Sequence, residues 1–192
     1  MTMSTRNKSN HIRIIGGQWR SRRLPVLDEQ GLRPTTDRVR ETLFNWLMHE
    51  LSGARCLDLF AGSGALGLEA LSRGAEFVQF VELVKPSAGQ IEQNLAILLD
   101  RPVETADVHR GDAIAYLREQ STAFDLVFLD PPFGTTLLVD AIDALANSDA
   151  LSTGALVYIE QDATADSPSL PDHWSLHREA QAGRCRFALY RA

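Results

Sequence analysis

The chain has 192 residues, 44% of them hydrophobic and 23% charged, which suits one α/β domain with a small appendage rather than two full cores. No apolar run approaches the roughly 18–20 residues that span a bilayer, and the polar start Met1–Asn10 lacks the apolar stretch of a signal peptide. The net charge of −6 hides an asymmetry: residues 1–40 carry nine Lys/Arg against three acids (+6), the remainder ten against twenty-two (−12). A basic arm on an acidic body suggests reach toward a polyanion, although on charge alone a solvated basic face is almost as good a reading.

In chain order, residues 1–11 read as a frayed tail. Ile12–Ile15 and Gln18–Leu24 flank Gly16-Gly17, a pair that can supply the positive φ of a tight turn, so a β-hairpin is expected there. A loop follows Pro25 and ends at Arg33-Pro-Thr-Thr36. An amphipathic helix then begins near Asp37, capped by Thr36 or Asp37, with Val39, Leu43, Trp46, Leu47 and Leu51 on one face and a stop at Ser52-Gly53.

From Arg55 onward, apolar runs alternate with helical stretches. Strands are predicted at 55–60, 77–82, 104–109, 124–130 and 156–160. Helices are predicted at 66–73, 87–99, 113–119 and 137–146, with the second expected to start late because Val84 and Pro86 are poor helix formers. Nearly all-apolar strands separated by helices imply a parallel sheet covered on both faces. The final stretches, 174–179 and 184–190, flank Ala180-Gln-Ala-Gly183 and read as an antiparallel hairpin. The organisation expected is a tail (1–11), a basic hairpin and loop (12–36), and a main domain (37–192).

Cys56 and Cys185 fall in predicted strands without metal spacing and are expected as buried thiols in a reducing cytoplasm, a disulfide being a distant second. The five histidines form no ligand pattern, so no metal is expected. Two motifs carry chemistry. The first predicted strand runs into Asp58-Leu-Phe-Ala-Gly-Ser-Gly-Ala-Leu-Gly67, in which Gly62, Gly64 and Gly67 satisfy G-x-G-x-x-G, and Glu82 ends the next strand. Such a loop lets backbone and nucleotide approach closely while the acid binds ribose, a pattern that equally permits NAD. Asp58 opposes a pyrophosphate but suits a cationic ligand, and Asp112, within Gly111-Asp-Ala113, sits where an adenine amine could donate. An acid-lined pocket fits S-adenosylmethionine, with its sulfonium and ammonium.

The second motif is Asp130-Pro131-Pro132-Phe133, closing the run Phe124–Asp130. Two prolines cannot continue a ladder. They leave a stiff loop of bare carbonyl oxygens beside a carboxylate and an aromatic face. Asp130 and the Pro131 carbonyl could accept the two N–H bonds of an exocyclic amine, with Phe133 stacked on its base. A proline-stiffened turn with Asp130 capping a helix is the bland alternative.

Asp58–Gly67, Glu82, Gly111–Ala113 and Asp130–Phe133 resemble the successive motifs of the amino-methylating class I S-adenosylmethionine-dependent methyltransferases. Arg13–Arg20 and Leu32–Leu47 are similar to the bacterial 16S ribosomal RNA guanine-N2 methyltransferases that modify guanine 966, and the likeness covers roughly residues 12–190. It implies a Rossmann-like, seven-stranded, mostly parallel sheet with the last strand antiparallel. It implies cofactor contacts from Asp58, Phe60, Ala61, Gly62, Ser63, Gly64, Glu82, Asp112 and Ala113, and an amine site of Asp130, Pro131 and Phe133. Trp19, Arg20, Arg22 and Arg23 in the hairpin, with Arg38 and Arg40 opening the helix, are the expected RNA contacts. The implied partner is 16S RNA in the small subunit or its assembly intermediate, met by a monomer. Leu83-Val-Lys-Pro86 departs from relatives that often carry another acid after Glu82. DNA adenine-N6 or cytosine-N4 methylation and a non-catalytic RNA-binding assembly factor remain the competing readings; protein glutamine methylation and a nicotinamide dehydrogenase fit less well.

Overall fold

The computed structural model describes residues 10–27 and 36–192; residues 1–9 of the expected tail and the Arg33-Pro-Thr-Thr36 loop before Thr36 lie outside them, whereas Asn10 and His11, expected in the tail, open the first strand. A seven-stranded sheet forms the centre, from β3 (Arg55–Asp58), β4 (Phe77–Glu82), β5 (Ala106–Arg110), β6 (Phe124–Leu129), β7 (Leu151–Asp162), β8 (Ser175–Ala182) and β9 (Cys185–Arg191). Its spatial order is β5-β4-β3-β6-β7-β9-β8. Strands β3 to β7 pair in parallel, whereas β9 runs antiparallel to both β7 and β8. The last strand is thus the antiparallel one, slotted between its two predecessors.

Helices α2 (Ala65–Ser72), α3 (Lys85–Leu98), α4 (Pro102–Thr105), α5 (Ala113–Glu119) and α6 (Leu137–Ala146) connect these strands, after α1 (Asp37–Trp46). Two apolar clusters cover the sheet. One joins Leu43, Phe44, Phe80, Phe128, Tyr158 and Phe187; the other joins Leu57, Val81, Leu117, Val127, Ile142 and Trp174. Both faces are buried, as continuous apolar strands require. Among the described residues, no helix is long and apolar enough to cross a membrane.

Several boundaries differ from expectation for local reasons. Helix α3 starts at Lys85 because Pro86 lies in its first turn, where the missing N–H has no intrahelical partner to lose. The third parallel strand starts at Ala106, since the residues before it wind into α4. Helix α1 stops at Trp46, and the chain turns so that Leu47 and Leu51 are still buried. Thr36 is its cap: the side chain accepts from the Val39 N–H at 3.4 Å. Cys56 is buried as expected, but Cys185 is only half-buried; both are free thiols.

The N-terminal hairpin is present but built otherwise than expected. Strands β1 (Asn10–Arg13) and β2 (Arg23–Val26) pair antiparallel, with Arg13 opposite Arg23, and the connection between them runs from Ile14 to Arg22. Gly16-Gly17 is therefore not a two-residue turn. It is the point where the connection docks on the second half of α2. The Ile15 and Gly16 N–H groups donate to the Glu69 carboxylate at 2.7 and 2.8 Å. The Gln18 N–H donates to the Ser72 carbonyl at 2.7 Å, and the Ser72 hydroxyl donates to the Gly16 carbonyl at 2.6 Å. Gly17, at φ 77°, lies so close that a Cβ would fall 1.8 Å from the Ser72 carbonyl oxygen. Ile12, Ile14 and Leu24 belong to the same core as α1 and the sheet.

Candidate active site

The strand order changes direction between β3 and β6: the chain builds outward to β4 and β5 on one side and to β7 on the other. Ligands of open α/β sheets bind at the carboxyl ends of strands at such a point. The predicted cofactor and amine motifs both arrive there. Asp58 ends β3, Glu82 ends β4, and Asp130 directly follows β6. Backbone bonds hold these loops together: the Leu59 N–H reaches the Phe128 carbonyl at 3.2 Å, and the Ala61 N–H the Val81 carbonyl at 3.0 Å.

The glycine loop is shaped by its own carboxylates. Gly62 and Gly64 take φ 52° and 76°, the left-handed conformation that side chains resist. Glu82 accepts the Gly62 N–H at 2.6 Å and the Val84 N–H at 2.7 Å, so it braces the loop from the neighbouring strand. Asp58 accepts the Gly67 N–H at 2.9 Å inside the first turn of α2. Gly67 itself is a packing glycine, since a Cβ there would lie 2.2 Å from the Phe80 ring. Asp58 is 2% exposed. Burial pushes its carboxyl up to about 7, the Gly67 N–H pulls it down, and the charge of Glu82 adds to the rise.

Phe60 is half-buried, Ala61 and Ala113 are buried, and Ser63 is half-buried. Asp112 is exposed and caps α5 by accepting the Ala115 N–H at 2.9 Å. The Gly111 N–H ties its loop to the Glu82 carbonyl at 3.1 Å. Beyond β6, Asp130 is half-buried, Pro131 is buried, and Phe133 is 45% exposed. Asp130 does not cap the next helix: α6 begins at Leu137 behind Thr136. The loop holds itself through the Thr135 hydroxyl, which donates to the Pro132 carbonyl at 2.8 Å.

The predicted RNA contacts do not stay together. Arg38 is exposed on the first turn of α1, and Arg23 is exposed on β2. Trp19, Arg20 and Arg22 lie at the far end of α2, about 12 Å of helix away from the glycine loop. Trp19 is half-buried against the main core, and Arg22 Nη1 donates to the Ile97 carbonyl at 3.4 Å near the end of α3. Arg40 requires correction: it is 2% exposed and cannot reach a phosphate. Its guanidinium donates to Asp37 at 2.6 Å and to the Arg13 carbonyl at 3.0 Å, and it lies 3.9 Å from Glu69.

Sequence reasoning passed over Glu69, Tyr158 and Glu160. Glu69 was visible as the one charge inside the apolar helix Ala65–Ser72. Tyr158 and Glu160 sit on the strand next to Asp130, and only the strand order reveals that neighbour.

The carboxylates of this rim fit a positively charged nucleoside better than a dinucleotide. Asp58 and Glu82 would repel a pyrophosphate, whereas an ammonium or sulfonium would offset the burial that raises the Asp58 carboxyl. Comparison with known proteins identifies the family. The family described as Conserved hypothetical protein 95 matches residues 12–191. Ribosomal RNA small subunit methyltransferase D of Escherichia coli (strain K12) is 49% identical over 182 residues, covering 95% of this chain and 90% of that protein. The Haemophilus influenzae protein of the same name is 45% identical over 191 residues, covering 98% of this chain and 97% of its own. A solved Escherichia coli chain described as a methyltransferase superposes with a TM-score of 0.88 at 46% identity, covering 95% and 98% of the two chains. The match runs from one end of the described fold to the other, and the chain belongs to the Conserved hypothetical protein 95 family, that of the ribosomal RNA small subunit methyltransferases D.

Proposed function

We propose that this protein transfers a methyl group from S-adenosylmethionine to the exocyclic N2 amine of a guanine in 16S ribosomal RNA of the small subunit or its assembly intermediate. The observation that carries the reading is the placement of Asp130–Phe133 at the same carboxyl rim as Asp58, Glu82 and the glycine loop. Asp58 would attract the ammonium of the methyl donor, Glu82 would accept its ribose hydroxyls, and Asp112 would accept from the adenine amine. S-adenosylmethionine supplies an electrophilic methyl group on a sulfonium and departs as S-adenosylhomocysteine.

The protein's part is to ready the amine. The N2 lone pair of guanine is delocalised into the ring and is a weak nucleophile. Asp130 and the Pro131 carbonyl accept its two hydrogens, orient the nitrogen and favour pyramidal geometry, while Phe133 holds the ring by stacking. The carboxylate of Asp130 also offers a place for the proton released when the new C–N bond forms. The base must leave its stack to arrive here, at a cost of a few kcal/mol unless it lies in a loop. Arg38, Arg23 and Arg20 are exposed for flanking phosphates, while Trp19 and Arg22 lie at the far end of α2. The test is chemical. Deleting the gene and digesting small-subunit RNA to nucleosides removes one N2-methylguanosine; an unchanged content rejects the substrate.

The Asp58 carboxyl adds a pH signature. Its folded value, about 7, lies above the ordinary 3.8, so the ligand-free protein loses stability as pH rises from about 4 through about 7. Binding moves the other way, because the anion attracts the ligand's ammonium. S-adenosylhomocysteine affinity is expected to rise between pH 6 and pH 8 and to flatten in Asp58→Asn, measured by calorimetry. A profile identical in both proteins removes the ammonium contact.

A further inference from the structure

A buried carboxylate that the mechanism above does not use stands beside Asp130. The β6–β7 ladder pairs Phe128 with Tyr158 and Leu129 with Ile159, so the next positions, Asp130 and Glu160, are neighbours at the carboxyl edge. Paired positions of adjacent strands are about 4.8 Å apart, and side chains two residues on return to the same face. The Phe128 and Tyr158 rings meet edge-on with centroids 6.2 Å apart, fixing that face. Asp130 and Glu160 therefore point to the same side of the sheet.

Glu160 is 5% exposed. The Tyr158 hydroxyl donates to its Oε2 at 2.9 Å, and the Cys185 thiol donates to its Oε1 at 3.0 Å. Burial, followed by the charges of Glu160 and Asp130, holds the Tyr158 hydroxyl well above its ordinary value, so it remains a donor. These two donors orient the carboxylate at the edge where the target amine is to be gripped.

Resting on the guanine-N2 reading, we propose that Glu160 determines base specificity by accepting the N1–H of the target guanine. Guanine presents N1–H and N2–H side by side, two parallel donors for two adjacent carboxylates. Adenine and cytosine place an unprotonated ring nitrogen next to their amines. Such a nitrogen would face the Glu160 carboxylate acceptor against acceptor, with no hydrogen to share between them. Asp130 thus selects an amine, and Glu160 selects which base owns it. Sites that hydrogen-bond a substrate group reject analogues lacking it far more strongly than apolar pockets reject a methylene.

2-Aminopurine probes this contact, because it keeps the N2 amine and lacks the N1–H; it also lacks the O6 carbonyl, so the Glu160 variant is what assigns the preference to N1. Small subunits are reconstituted with guanine or 2-aminopurine at the position the wild-type protein methylates, and kcat/KM is measured on each. Wild type is expected to prefer guanine by at least about 10²-fold. Glu160→Gln, whose amide can either accept from N1–H or donate to a bare N1, loses most of that preference. Tyr158→Phe, which keeps the ring and removes an orienting hydroxyl, lowers it in the same direction. Equal wild-type activity on both bases, or full preference retained in Glu160→Gln with unaltered S-adenosylhomocysteine binding, overturns the assignment and leaves the guanine-N2 reading standing. Failure of wild type to methylate guanine in these particles overturns that reading itself.

Discussion

Asp130→Ala is expected to lower the turnover of methyl transfer about 10²–10³-fold, the usual loss when a preorganised polar group at the reacting centre is removed. S-adenosylmethionine binding should persist, because the groups that shape the glycine loop are anchored elsewhere: Glu82 to the Gly62 and Val84 N–H groups, Asp58 to that of Gly67. The loop after β6 should also keep its path, being stiffened by Pro131 and Pro132 and tied by the Thr135 hydroxyl. Single-turnover transfer to small subunits, with equilibrium binding of S-adenosylhomocysteine measured in parallel, separates the two effects. Wild-type turnover in the variant would remove Asp130 from the amine grip.

The second large effect is on stability. Glu69 is fully buried and accepts the Ile15 and Gly16 N–H groups and Arg73 Nε, the last at 2.7 Å. It also lies 3.9 Å from the buried Arg40 guanidinium. Glu69→Ala strips the hairpin of its anchor and takes away the carboxylate beside Arg40 Nη1, which like Nε has no hydrogen-bond partner among the described residues. Removing one partner of a buried pair costs about 3–5 kcal/mol, against a whole-domain stability of about 5–15 kcal/mol. Urea denaturation should show the midpoint falling sharply, and thermal unfolding should move with it. A shift comparable to that of an exposed substitution would mean that the docking contributes little.

Most of the body could be read locally. Helices α5 and α6 fall at the expected residues because their apolar spacing is regular and Asp112 caps the first. The glycine loop and Asp130–Phe133 were legible because special backbone chemistry must be written in Gly and Pro. The hairpin misled because Gly16-Gly17 satisfies two physical demands alike, a tight turn or a close approach, and the second belongs to Ser72 far along the chain. Arg40 misled for a related reason. An arginine in a basic segment looks solvated until its acid, here Asp37 with Glu69 beyond, is brought against it by packing. Glu160 was invisible as a site residue because its meaning depends on which strand lies beside β7, a fact of strand order alone.

Helix α2 also bears on how such a protein can change over generations. Its first turn seats the glycine loop and its last turn seats the basic hairpin, so eight residues tie the two together. The hairpin is accordingly no cassette to be exchanged between relatives. On the proposed function, retargeting the RNA would leave Glu69, Ser72 and Gly17 in register and vary only what projects from them. Address could then drift through the exposed arginines, while the clasp beneath them stays tied to the glycine loop.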